Sequence, residues 1–188
     1  MIFFEAVFRS CVYSAKGLAA YFNAAESMVS YLVNIALPEA VHSKRKEIPP
    51  MEPNEAKELL AFHSSRHSDV HNPKWEHGFL GSLRPFRGEL HEENFIEVME
   101  CLRALAEELS AAAINRELVS DIVAIIHLSR VWAAPDGMLG SNCLLTEEQT
   151  KLLLAWADII ETCFVYLLDE MEEEAFSEYE AYLDGEYF

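Results

Sequence analysis

Glycine and proline are scarce, at seven of each in 188 residues, too few for a fibrous or linker-rich chain. The four cysteines, Cys11, Cys101, Cys143 and Cys163, include no CxxC pair. Three of them border or occupy apolar helical positions, so they read as small buried hydrophobes rather than ligands or bridges. That usage suits a reducing compartment. The apolar N-terminus is interrupted by Glu5, Arg9 and Lys16 and makes a poor signal peptide. No stretch reaches the roughly 18 uncharged apolar residues of a membrane span. A cytoplasmic protein is expected.

Positive charge is also short. Fourteen Lys and Arg stand against 32 Asp and Glu, a net charge of -18. Nucleic-acid binding needs concentrated positive charge to displace counterions, so it is excluded as the main function. An anionic membrane surface is excluded on the same ground. The imbalance is one-sided. Residues 1–91 hold ten acids and ten bases, and residues 92–188 hold 22 acids and four bases. Asp169 to Phe188 has nine acids and no base, so residues 172–188 are expected to be an acidic C-terminal tail.

Period-two alternation is absent, and helical spacing is everywhere, so the expected fold is all-α. A chain of this length buries roughly 70% of its unfolded surface and needs no metal or disulfide to fold. One domain is expected over 1–188, a bundle of five or six helices with one long Gly-rich loop. Phe4, Phe8, Cys11, Ala15, Leu18, Phe22, Ala25, Val29, Leu32 and Ala36 recur at alternating steps of four and three. This heptad seam predicts one long helix, or two collinear ones, over about 3–37, with Gly17 as the natural break. A helix of that length would overhang a compact domain, so either it bends at Gly17 or a second copy covers it in a homodimer, the preferred reading. Residues 38–53, with prolines at 49, 50 and 53, form a Pro-rich connector.

Further helices are predicted over about 54–66, 92–110 and 116–133, and from 146 to about 171. The third is apolar almost all round and is expected to be the central buried helix. The last opens on Thr146-Glu-Glu-Gln149, a capping box in which hydroxyl and amide satisfy each other's backbone donors.

Two connectors hold five of the seven glycines. Residues 135–142 contain Pro-Asp-Gly, ordinary turn chemistry. Residues 72–91 are longer than a structureless loop in a compact domain usually is. They carry Trp75, Phe79, Leu80, Leu83 and Phe86, too apolar for water, so an ordered Gly/aromatic loop packed on the helices is expected. Trp75, His77, Arg84, Phe86 and Arg87 form the candidate binding site, an aromatic-and-arginine patch able to grip an acidic group. The competing expectation is a structural lid whose arginines pair with the acidic second half.

His63, His67 and His71 are spaced four apart and would share one helical face. Zinc could use such a pair. The zinc-protease pattern needs Glu directly after the first histidine, where Ser64 stands. Only Glu39-Ala-Val-His42 resembles a di-iron motif, and it follows Pro38. No metal site and no cofactor are expected. His127 and Arg130 read as a buried polar pair meeting an acid from a neighbouring helix. Nucleotide, hydrolase and dinucleotide fingerprints are absent.

The function expected first is a small acidic binding protein that engages a basic protein partner, of inhibitor or immunity type, because acidic complementarity raises association rate and selects partners. A homo-oligomeric helical protein is the second reading. The third is a small-molecule or metal-binding enzyme using His63, His67 and His71.

Overall fold

A computed structural model describes residues 51–187. The heptad seam and the dimer expected through it, Cys11, the Glu39–His42 motif and most of the 38–53 connector lie outside the described residues. Within them every regular element is a helix. The order is α1 (Pro53–His63), α2 (Pro73–His77), α3 (Phe79–Ser82), α4 (Glu92–Ala104), α5 (Ala106–Leu109), α6 (Arg116–Ala133), α7 (Glu147–Leu168), α8 (Glu172–Ala175) and α9 (Ser177–Leu183). No helix among them is long and apolar enough to cross a membrane.

Helix starts follow local chemistry. Pro53 opens α1, where its missing N–H costs nothing. Asn115 accepts from the Glu117 N–H at 2.8 Å to cap α6. The capping box of α7 is present in full. Thr146 Oγ1 accepts from the Gln149 N–H at 3.1 Å, and Gln149 Oε1 accepts from the Thr146 N–H at 2.9 Å.

Some boundaries differ from expectation. The helix expected to reach Arg66 stops at His63, and Ser65 enters the left-handed region with φ 55°. The 92–110 stripe is broken at Leu105. After α5, the Ser110 hydroxyl donates to the Leu167 carbonyl at 3.0 Å and ties this end to α7.

The core is built on α4, α6 and α7 with α1 across them. Trp156 of α7 stacks on Phe95 of α4, with ring centroids 5.3 Å apart, and meets the Phe79 ring edge-on at 6.2 Å. Phe95 in turn meets Tyr179 and Tyr182 edge-on at 5.8 and 5.1 Å, a geometry the ring quadrupoles favour. Cys101 and Cys163 are fully buried in the core, as expected. Burial pushes both thiols up to about 12.

Three expectations are corrected. First, α6 is not buried all round. Leu118, Ile122, Ile125 and Ser129 face α7 and the core, whereas Val123 and Val131 remain 46% and 44% exposed. His127 is on that open face. Only Arg130 of the expected pair meets acids across the helix junction, Asp158 at 2.7 Å and Glu161.

Second, residues 72–91 pack on the other helices as the expected ordered segment does, but they contain two short helices where a loop was expected. Asn72 caps α2 by accepting from the Lys74 N–H at 2.9 Å, and α3 follows directly. Phe79, Leu80 and Leu83 are buried. A Cβ at Gly81 would stand 2.2 Å from the Trp75 carbonyl oxygen, so only glycine lets α3 lie this close to α2.

Third, residues 172–187 are not a tail. They form α8 and α9, because Ala175, Phe176 and Tyr179 insert into the core. Residues 135–142 do form turns, closed by Leu139 and Gly140 N–H groups donating to the Trp132 carbonyl.

Candidate functional site

The three histidines proposed to share a helix face are separated by the end of α1. His63 is fully buried, His67 stacks on Phe62 in the following turn, and His71 is exposed in the next. No group of three metal-ligating side chains converges among the described residues.

His63 has another role. Its Nδ1 accepts from the Phe79 N–H at 3.0 Å, so its proton is on Nε2, which donates to Glu97 Oε2 at 2.9 Å. Glu97 also takes the Lys74 ammonium, and Asn94 donates to the His77 carbonyl at 2.8 Å. These bonds fasten α2 and α3 to α1 and α4. Burial holds the His63 pKa below its ordinary value. Glu97 is drawn down to about 2, chiefly by the hydrogen bond from His63. Both ring nitrogens are occupied, so this is a structural tie. Glu97 and Lys74 carried no sequence signal for it, standing 34 and 11 positions from His63.

The candidate binding residues fall on different faces. Trp75 and Arg84 come together on the wall of a groove of about 530 Å³. Ser64, Ser65 and Arg66 after α1, Leu80 and Gly81 of α3, and Ala124, Leu128 and Trp132 of α6 complete it. Arg66 Nε and Ser64 Oγ both reach Asp121 Oδ1 at 2.9 Å. Burial raises the Asp121 pKa, against the pull of Ser64 and Arg66. Arg84 is exposed and has no ion-pair partner among the described residues.

His77 and Arg87 instead line a separate cleft of about 30 Å³ with Glu76 and His91, room for about one water. Arg87 pairs with Glu76 at 2.7 Å. Phe86 is half-buried against the core. The expected pairing of these arginines with the acidic second half is therefore corrected, since Glu76 belongs to their own segment. Trp132 and Arg66, which complete the groove, were missed. Trp132 had been assigned to the core stripe of α6, and Arg66 to a helix end.

A second concavity, also about 530 Å³, lies on α8 and α9. Glu172, Glu173, Ser177 and Glu180 surround Phe176 and Arg103. The Arg103 guanidinium sits 4.3 Å over the Phe176 ring and pairs with Glu180 at 2.8 Å. Glu172 and Glu173 form no ion pair among the described residues, although Arg103 lines the same concavity. Sequence reasoning had assigned these residues to a solvated tail and named none of them as a site.

Comparison of the chain with protein-family models, with curated proteins and with solved structures finds no match.

Proposed function

We propose that this is a small binding protein that engages a basic protein partner through the acidic face of α8 and α9, on a helical-bundle scaffold in a reducing, cytoplasmic setting. An inhibitor or immunity-type role against a basic enzyme is its concrete form. One observation carries the reading. The C-terminal carboxylates are held on folded helices around a concavity, where acids outnumber the single Arg103 and Glu172 and Glu173 make no ion pair among the described residues. A lysine or arginine of the partner entering it meets the Glu172 and Glu173 carboxylates beside Arg103, whose own charge is already paired with Glu180. Fixed carboxylates of one sign steer a basic surface and select its orientation. The metal-enzyme alternative has less support, since His63, His67 and His71 do not share the one helical face it used.

The test begins with affinity capture from the source organism, followed by calorimetric titration of the captured basic protein. The Glu172→Gln/Glu173→Gln double variant is expected to weaken binding about tenfold, with the wild-type affinity falling as salt rises. Equal affinity for wild type and variant, unchanged at high salt, would overturn the reading.

A further inference from the structure

The groove between the Trp75 segment and α6 is a different kind of surface. Its apolar lining is Trp75, Leu80, Ala124, Leu128 and Trp132. Its charged groups are Arg66, Arg84 and Asp121. Asp121 neutralises Arg66 at 2.9 Å, which leaves Arg84 as a local positive surplus on a protein of net charge -18. The groove's volume falls within the range of roughly 300–1,000 Å³ common to ligand sites. Its floor is fixed, because Gly81 packs against the Trp75 carbonyl and Ser64 is buried and bonded to Asp121.

The apolar surface also runs out of the groove. Val131 lies one turn from Leu128 on α6 and is 44% exposed. An occupant that covers both is longer than the groove itself.

We propose that this groove docks a short amphipathic segment of a partner protein, in which a carboxylate side chain stands next to an aromatic or aliphatic one. The carboxylate meets the Arg84 guanidinium, whose planar fork suits it. The apolar side chain enters between Trp75 and Trp132, and the following residues run over Val131. The partner's acid is what Arg84, unpaired among the described residues, selects. The site is independent of the acidic face on α8 and α9.

The experiment is panning of a random twelve-residue peptide display library on the full chain, followed by titration of the enriched peptides. The expected consensus places Asp or Glu within two positions of Phe, Trp or Leu. Arg84→Glu, an exposed change that preserves the fold, should weaken those peptides about tenfold. Trp132→Ala should weaken them as well. Arg87→Glu, outside the groove, and Glu172→Gln/Glu173→Gln, on the other face, should bind as wild type.

Enrichment without an acid next to an apolar residue would overturn the proposal. So would peptides that bind Arg84→Glu as well as wild type. A third arm uses 4-phenylbutyrate, read by perturbation of the Trp75 and Trp132 indole signals. If the free carboxylate binds there while no peptide is enriched, the groove is a small-molecule site and the docking proposal falls.

Discussion

Helical periodicity fades in residues 72–91 and 169–187 alike, and these stretches differ in almost every other respect. The first is glycine-bearing and mixed in charge, and the second has nine acids and no base. Both fold onto the same core by the same means. Phe79 and Leu80 anchor the first, and Phe176 and Tyr179 the second. They converge on one residue. Trp156 meets the Phe79 ring and donates from Nε1 to the Tyr182 hydroxyl at 3.0 Å. The comparison shows that a few buried aromatics decide whether such a segment is ordered, while charge decides what its outer surface can meet. The polar ties differ accordingly. The first segment is held by the network of buried His63 with half-buried Glu97 and Lys74. The second is tied by Arg103 to Glu180 across its surface, by the Tyr182 hydroxyl to Trp156 and Glu92, and by the Tyr179 hydroxyl to Glu100.

The largest effect should come from Trp156→Ala, which removes the anchor common to both. A buried tryptophan truncated to alanine costs about 3–5 kcal/mol. Urea unfolding should show that loss, and limited proteolysis should open both segments. Cleavage confined to one segment would break the symmetry claimed here.

Phe176→Ala should cost slightly less, since its ring is partly covered by the Arg103 guanidinium rather than by core atoms alone. Hydrogen exchange should rise in α8 and α9 and stay unchanged in α2 and α3. Exchange rising equally in both segments would show that they do not fold onto the core separately.

His63→Gln tests the tie unique to the first segment, at about 1–3 kcal/mol for buried groups left imperfectly paired. It also carries a pH signature. The folded His63 pKa lies below 6.5 and that of Glu97 lies at about 2, below 4.5. For both groups the unfolded chain binds the proton first as pH falls. Wild-type stability should therefore begin to drop below about pH 6.5 and continue down towards the folded value of Glu97. In the variant the part of the drop just below pH 6.5 should be reduced. Urea midpoints at pH 7 and pH 5.5 read this directly, and an unchanged drop would remove His63 from the account.

The smallest effect belongs to Arg87→Ala. Its pair with Glu76 joins side chains 69% and 51% exposed, and such a pair contributes about 0.5 kcal/mol or less. A melting temperature lowered by several degrees would show that Arg87 does more than cap its own segment.

Much of the helical layout was legible in the sequence because its causes are local. The capping box at Thr146 and Gln149, the apolar stripe behind it and the stripes of α4 and α6 all act over one or two helical turns. The anchors of 72–91 were legible too, since Phe79, Leu80 and Leu83 are too apolar to stay in water. Where reading failed, the cause lay further away in the chain. Histidines four apart share a face only if the helix continues, and α1 stops at His63, where packing of α3 claims its ring.

Sequence alone thus determined that this chain is helical, acidic in its second half, and without any known catalytic fingerprint. Tertiary structure decided the rest. It set which side of α6 is covered, that the acidic end folds, and that Trp75 and Arg84 face Trp132 and Arg66 while Arg87 turns away. Helical periodicity specifies an apolar face but not its neighbour. The neighbour is chosen by how α1, α3, α6 and α7 pack around one core, and residues distant in sequence meet only there.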